Sequence, residues 1–189
     1  MAQSTPTLQS FTFSPTLASF DIPKKTYLSS PSMGKYEAIA TGALIFTPTS
    51  NKILVLQCAP TDSSPNKWEN PGGGVDDTDA TILHGVAREV LEETGLMVTH
   101  INRLVTVDGE EGFAFESSKG LRIIKFAFDV EVDSVDEVKL DKNEHQGFLW
   151  ASEKECRERR MEDGYQIEFT GKWQYECILE GFRLRKEEK

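Results

Sequence analysis

Three carboxylates at helical spacing are the residues of this sequence that could do chemistry together. Glu89, Glu92 and Glu93 stand at positions i, i+3 and i+4, so a helix would place them on one face. Like charges at that spacing repel by roughly 0.2–0.5 kcal/mol per pair. A hard divalent cation would remove the repulsion, and Mg²⁺ commonly bridges one or two carboxylates to substrate phosphates. The spacing therefore predicts a Mg²⁺ site, with Mn²⁺ as the alternative metal.

The segment around the carboxylates supplies the elements that would position them. The stretch Pro71–Gly74 contains one proline and three glycines, which allow a tight turn and a close approach to a ligand. Asp79 is predicted to be the N-cap of the following helix, with Ala80 as its first residue, and Gly95 is predicted to be the C-cap. One face of that helix is apolar at spacings of three and four, through Ile82, Leu83, Val86 and Val90. The helix is therefore predicted to pack on a core and to present its carboxylates elsewhere.

These residues together resemble the Nudix box, the signature of the Nudix hydrolase family. The family pattern is G-x5-E-x7-R-E-U-x-E-E-x-G-U, where U is an apolar residue. Gly74 opens it, and the later positions are filled in strict spacing by Arg88, Glu89, Val90, Glu92, Glu93, Gly95 and Leu96. The early Glu of the pattern falls on Ala80, with Asp79 beside it as an imperfect substitute. In the family that early Glu chiefly holds the box together, whereas the later glutamates bind metal.

The resemblance implies a role for each residue of the box. Glu92 and Glu93 are expected to bind the metal, and Glu89 is expected to be a third ligand or the base that activates water. Arg88 is expected to orient these carboxylates and the turn. Gly73 is also an expected metal ligand. The residues expected to contact the substrate are Trp68, Gly72, Gly73 and Gly74.

A second segment, NEHQGFLW at residues 143–150, is also similar to a part of many Nudix proteins. In such relatives a loop glutamate just before a strand can bind metal or act as base. Glu144 is therefore a further catalytic candidate. His145 is predicted to be structural, because a lone histidine beside a strand usually makes a structural hydrogen bond.

The remaining elements fit the fold that the resemblance implies, an α/β/α sandwich with a mixed β-sheet whose box helix carries the metal site. Residues 37–46 and 52–58 are predicted to be strands that form a hairpin across a five-residue turn. Residues 113–117 and 121–132 are predicted to form a second hairpin. A C-terminal helix is predicted over residues 173–186.

Two regions are expected along the chain. Residues 1–35 form an N-terminal arm rich in Ser, Thr and Pro, and residues 36–189 form the Nudix domain, including the C-terminal helix. The arm contains more aromatic residues than a solvated tail needs, namely Phe11, Phe13, Phe20 and Tyr27. Parts of it are therefore expected to pack on the domain or on a second subunit, which would make a homodimer.

Composition limits the partners. A formal net charge of −10 over 189 residues argues against binding to nucleic acid or to an anionic membrane surface. No stretch is long and apolar enough for a membrane span, and the N-terminus lacks the pattern of a secretory signal. Cys58, Cys156 and Cys177 are widely spaced and odd in number, which predicts free thiols in a reducing compartment. The cytoplasm is the expected location.

The aromatic residues bear on the choice of substrate. Most are predicted to be core, with one or two free to stack on a nucleobase or to line a prenyl pocket: Trp68, Phe113, Phe115, Phe126, Phe128 and Trp150. Arg122 and Lys125 have opposite parity on one predicted strand, so at most one of them faces a cleft.

These observations favour Mg²⁺-dependent hydrolysis of an organic pyrophosphate, with a nucleoside diphosphate linked to another moiety as the preferred substrate. One alternative is hydrolysis of an isoprenoid diphosphate in an apolar pocket. The other is a Nudix-fold module that binds a nucleotide without cleaving it, an alternative that Ala80 keeps open. Dense negative charge on the helix argues for the enzyme, because a pure binder gains nothing from it.

Overall fold

The computed structural model describes residues 10–187 and contains two layers of helix around β-structure. The strands are β1 (Thr12–Phe13), β2 (Ala38–Ile45), β3 (Ile53–Cys58), β4 (Trp68–Glu69), β5 (Val98–Val105), β6 (Phe113–Glu116), β7 (Arg122–Val132) and β8 (His145–Ala151). The helices are α1 (Lys24–Leu28), α2 (Ile82–Thr94), α3 (Glu153–Glu158) and α4 (Lys172–Glu187), and a 3₁₀ helix spans Pro15–Phe20.

The strands form two sheets. The larger has the order β1-β5-β7-β2, with β6 added on β7, and the smaller has the order β4-β3-β8. Strand β2 runs parallel to β7, whereas β5 and β6 run antiparallel to it, so the larger sheet is mixed. In the smaller sheet β3 pairs antiparallel with both of its neighbours.

Alternation along β3 shows how the two helical layers are built. Leu54 and Leu56 lie in the core cluster that contains the apolar face of α2, while Ile53 and Val55 lie in the cluster that contains α4. Successive side chains of a strand point to opposite faces, so a continuous apolar run serves two cores at once. This confirms the predicted α/β/α sandwich and its mixed sheet.

The two predicted hairpins have different outcomes. Strands β6 and β7 pair antiparallel across their short turn, as expected. The hairpin of residues 37–46 with 52–58 is wrong, because β2 pairs with β7 and β3 with β4 and β8. Only the bridge between Phe46 and Ile53 joins the two strands. A short turn predicts that the two strands it joins pair with each other. Here β2 pairs instead with the long strand β7, and β3 pairs with β8.

The described part of the N-terminal arm packs on the α2 side of the molecule. Phe20 is buried and makes edge contacts with Phe126 and Phe128, with ring centroids 5.0 and 5.2 Å apart. Phe11 lies over His84 of α2, and Tyr27 stacks beside Phe20. The division at residue 35 stays a prediction, and residues 1–9 of the arm lie outside the described residues.

None of the helices within residues 10–187 combines the length and the apolarity that a membrane span requires.

Candidate active site

Helix α2 begins later than the sequence predicts. Its N-cap is Thr81, whose Oγ1 accepts a hydrogen bond from the His84 N–H, and its first residue is Ile82. The predicted N-cap at Asp79 is wrong because that carboxylate accepts instead from Arg88 and from the Asp76 N–H. The predicted end is confirmed, since Gly95 caps the helix with a φ of 70°.

The glycine turn passes very close to strand β2. Gly72 has a φ of +145°, and a Cβ atom there would lie 2.2 Å from the Thr41 carbonyl oxygen. Only glycine fits such a position. The close approach lets the Gly72 N–H donate a hydrogen bond to Glu93 Oε2 over 2.7 Å. The turn thus holds the carboxylate of one predicted metal ligand by its backbone.

Glu93 and Glu89 are the two buried carboxylates of the helix face. Glu93 is 4% exposed, and burial raises its pKa to about 9. The hydrogen bond from the Gly72 N–H lowers this pKa, and the negative charge of Glu89 raises it. Glu89 is 8% exposed, and burial raises its pKa to about 6 although Arg88 opposes the shift. Two acids held in this way favour a bound cation, because their charged forms are costly without one.

Gly73 faces Glu89 directly. A Cβ atom on Gly73 would lie 2.7 Å from Glu89 Oε2 and 2.8 Å from its Cδ. The Gly73 carbonyl oxygen accepts a hydrogen bond from the Thr41 N–H over 2.8 Å, which leaves one lone pair for a further contact. Gly74 is more open, since a Cβ atom there would meet nothing within 4 Å.

Arg88 ties the turn, the loop and the helix together. Its Nε and Nη2 donate to the two oxygens of Asp79 over 2.9 and 3.0 Å, and Nη2 also donates to the Gly74 carbonyl over 2.7 Å. Its Nη1 donates to Glu89 over 2.9 Å and to Glu92 over 2.8 Å. Asp79 therefore takes the structural place that the family pattern gives to the early Glu, and the arginine lies where it can orient two carboxylates.

We expect Asp79→Ala to lower the free energy of unfolding by about 1.5–3 kcal/mol, the range for a hydrogen bond to a charged group. The Asp79 side chain is only 6% exposed and Arg88 loses both bonds. Ala80→Glu alone should change little, because Arg88 already has its partner. In the Asp79→Ala background, however, Ala80→Glu should restore part of the loss. Thermal melting of the two single variants and the double variant measures this; no recovery in the double variant would contradict it.

The loop before β8 brings two more candidates to the helix. Potential ligand atoms of Glu93, Glu144 and His145 all lie within 4.8 Å of one another. Pairing of Cys58 with His145 between β3 and β8 sets this position. His145 is buried, burial lowers its pKa, and its Nδ1 has no hydrogen-bond partner among residues 10–187. A neutral imidazole with an unpaired nitrogen can bind a metal ion, so His145 is a further candidate metal ligand.

The donor set fits a divalent cation. Glu93 and Glu144 supply carboxylate oxygens next to the His145 nitrogen, and oxygen ligands of this kind suit Mg²⁺ and Mn²⁺. Glu92 lies outside that trio with a side chain that is 57% exposed, where Arg88 holds it. Its charge could act on a ligand at the rim.

Trp68, an expected substrate contact, is a core residue on the α4 side. It is 3% exposed, belongs to the α4-side core, and contacts the Tyr165 ring at 6.0 Å between centroids. Phe126 and Phe128 are buried, whereas Phe113 and Phe115 are exposed on β6, which agrees with the prediction that most of the aromatic residues are core and one or two are not. Among the described strands β6 pairs only with β7, and its aromatic side chains stay exposed although Phe113 stacks on Trp173 of α4.

The chain matches the family model of the NUDIX domain over residues 37–171, more than half of its length. No curated protein sequence matches it significantly.

Solved structures share the fold. The MutT protein from Methanosarcina mazei Go1 is 26% identical, with a TM-score of 0.58 over 80% of this chain and 96% of that one. An ADP-ribose pyrophosphatase from Streptococcus suis 89-1591 is 21% identical, with a TM-score of 0.55 over 80% and 94%. An Ap4A hydrolase from C. elegans is 20% identical, with a TM-score of 0.58 over 81% and 100%.

Proposed function

The chain belongs to the Nudix family of hydrolases, and from that premise we propose that it cleaves a nucleoside diphosphate linked to another moiety, with Mg²⁺ or Mn²⁺ as cofactor. The observation that carries the proposal is the pair of buried glutamates beside the glycine turn, Glu89 and Glu93, whose pKa values burial raises to about 6 and about 9. Such crowding is costly unless a cation binds. The names of two neighbours, an ADP-ribose pyrophosphatase and an Ap4A hydrolase, support a nucleotide-derived substrate.

Each residue of the site has a task in this proposal. Glu93, Glu144 and His145 would hold the cation, with Glu89 as a further ligand through the space that Gly73 leaves. The bound cation would neutralise phosphate charge and position the attacking water.

The remaining groups orient the carboxylates and remove the proton of the attacking water. Arg88 fixes Glu89 and Glu92 by hydrogen bonds from one guanidinium nitrogen, which keeps both carboxylates at the turn. One carboxylate of the set removes the proton of the attacking water, a contribution that is typically 10²–10⁴-fold. Exposed Glu144 and half-exposed Glu92 can exchange that proton with solvent, whereas Glu93 is held by the Gly72 N–H.

A substrate panel tests the proposal. Sugar and dinucleoside conjugates of nucleoside diphosphates and isoprenoid diphosphates are each incubated with Mg²⁺ and with Mn²⁺, and phosphorylated products are detected. Cleavage of a nucleoside conjugate is expected. Cleavage of the isoprenoid diphosphates alone, or thermal protection only by a lipid-like chain, would favour the alternative substrate. Tight nucleotide binding with no product would favour the binding module.

Chelation should abolish most phosphate recognition. The position of Cys58 often carries an arginine in relatives, but here its thiol is buried and donates to Glu69. We therefore expect the affinity for a nucleoside diphosphate to fall by at least about 10-fold in excess chelator, because the cation carries the contacts to phosphate. Isothermal titration with and without chelator measures this. Unchanged affinity in chelator would contradict it.

A further inference from the structure

A lysine of the N-terminal arm contacts the loop of residues 75–81, which joins the glycine turn to helix α2 and is called the box loop below. Lys24 is the first residue of α1 and lies before the family match, which begins at residue 37. Its Nζ donates a hydrogen bond to the Val75 carbonyl oxygen over 2.6 Å and lies 2.9 Å from Asp77 Oδ1. Its side chain is only 16% exposed, so these partners compensate for the burial of a charge that would otherwise be costly.

Two further contacts join the arm to the start of α2. The Ile22 carbonyl oxygen accepts a hydrogen bond over 3.0 Å from the N–H of Ile82, the first residue of the helix. The first N–H groups of a helix have no partner within it, so the arm satisfies one of them. The ring of Phe11 also lies against that of His84, with centroids 5.0 Å apart. The arm therefore contacts the chain at both ends of the box loop.

The box loop is held from the helix by Arg88. Asp76 Oδ2 lies 3.9 Å from Arg88 Nη2, whereas the next residue, Asp77, pairs with Lys24. Arg88 also donates over 2.7 Å to the carbonyl of Gly74, directly before the loop. The box loop thus lies between a cation of the arm and the cation that orients the carboxylates of α2.

Lys25 is a natural comparison within the same short helix. Its Nζ lies 2.9 Å from Asp77 Oδ2, but its side chain is 75% exposed. Exposed ion pairs contribute little, because water screens them. Lys24 is the more buried of the two lysines and bonds to the backbone of the loop, so it is the one that can fix the loop's position.

We propose that Lys24 is a positioning residue for hydrolysis: through it the N-terminal arm fixes the box loop, and the fixed loop keeps Arg88 in the orientation that the glutamates of α2 require. This inference rests on the proposed function. Val75 follows Gly74 directly, so an ammonium on the Val75 carbonyl restrains the chain beside the carbonyl that Arg88 uses. Small misplacements of catalytic groups caused by a distant change can reduce turnover by about 10²-fold.

Turnover of two matched variants tests the proposal. Lys24→Met keeps the buried stem and removes the ammonium, and Lys25→Met makes the same change at the exposed lysine. Well below the melting temperature, kcat should fall by about 10-fold or more in Lys24→Met with little change in KM, because the groups that act in the transition state are displaced. Lys25→Met should keep the parental kcat, and Lys24→Arg should recover most of the loss. Parental kcat in Lys24→Met, or equal losses in the two methionine variants, would overturn the proposal.

A measurement without substrate or cation separates this inference from the proposed function. In chelator, the Arg88 Nε–H donates to Asp79 over 2.9 Å, and its exchange with water is followed by NMR. Exchange should be at least severalfold faster in Lys24→Met than in the parent or in Lys25→Met, because a loosened loop opens this bond more often. Parental exchange in Lys24→Met would overturn the inference even if hydrolysis is found. Faster exchange in a protein that cleaves no pyrophosphate would uphold the arm's hold on Arg88 and refute the proposed function.

A change on the loop side keeps the test decisive if Lys24→Met does not fold. Asp77 has a side chain that is 55% exposed, so Asp77→Lys should fold while repelling Lys24 from the loop. It should lower kcat and speed the exchange of the Arg88 Nε–H in the same way. Parental values of both in folded Asp77→Lys would overturn the proposal.

Discussion

Glu93→Gln is expected to reduce hydrolysis by about 10²–10⁴-fold or more, the scale of a positioned acid or base, while leaving the metal-free protein at least as stable as the parent. Glu93 is 4% exposed and accepts a hydrogen bond from the Gly72 N–H over 2.7 Å. Glutamine keeps the shape and the acceptor but cannot ionise, and burial and the charge of Glu89 make ionisation at this position costly. A cation would bind less well, so Mg²⁺ should raise the melting temperature of the variant less than that of the parent.

The raised pKa of Glu93 also predicts how the stability of the metal-free protein depends on pH. Burial raises the pKa of folded Glu93 from 4.5 to about 9 in the metal-free protein. The resulting stabilisation is fully present below the unfolded value and is lost as the pH rises towards about 9. In chelator the parent should therefore lose stability between about pH 5 and 9 from this group, and Glu93→Gln should lose less.

Glu92→Gln is the matched comparison on the same helix. Its side chain is 57% exposed, so Glu92→Gln should melt close to the parent and should keep the parent's pH dependence, because Glu93 is unchanged. A Glu93→Gln protein that melts well below the parent in chelator at neutral pH would show that Glu93 is structural.

Gly73→Ala is expected to reduce activity by about 10²-fold while the protein stays folded, because small misplacements of catalytic groups carry such effects. The new Cβ would lie 2.7 Å from Glu89 Oε2, so the carboxylate must move away from the turn. The flexible end of a side chain can do so at little cost to the fold.

Gly74→Ala is its control, one residue further along the turn. A Cβ there meets nothing within 4 Å, and the Gly74 carbonyl that accepts from Arg88 remains. Its loss of activity should be smaller than that of Gly73→Ala, because Glu89 keeps its position, and its stability should change by no more than about 0.5 kcal/mol. Equal turnover of Gly73→Ala and the parent, with both folded by circular dichroism, would show that the position of Glu89 does not matter.

Local pattern predicted the box helix well and its start poorly. The 3.6-residue period places Val86 and Val90 in the core and Glu89 and Glu93 at the turn. The capping preference favours Asp79 over Thr81, and only the folded chain shows that Arg88, nine residues further on, binds the aspartate instead. The ion pair between Asp79 and Arg88 also explains how the box is held together although Ala80 stands in place of the early Glu of the pattern.

The features that the sequence did not predict depend on contacts between residues far apart in the chain. His145 reaches Glu93 because β8 pairs with β3, a contact that no local spacing indicates. Phe113 and Trp173 are in contact although they are 60 positions apart in the sequence, so the sequence indicated each only as a strand or helix residue. The same limit explains the predicted hairpin of β2 with β3, where local turn length was the only available signal.

Hydrolysis in ¹⁸O-labelled water, followed by ³¹P NMR, tests the central claim most directly. The parent protein with Mg²⁺ is incubated with ADP-ribose, Ap4A and related nucleoside diphosphate conjugates. We expect at least one to be cleaved with the label on one product phosphate, since water attacks one phosphorus. Chelator or Glu93→Gln should remove that product. If no conjugate yields a labelled phosphate with either Mg²⁺ or Mn²⁺, or if labelling is equal in Glu93→Gln, the buried carboxylates beside the glycine turn are not the hydrolytic centre.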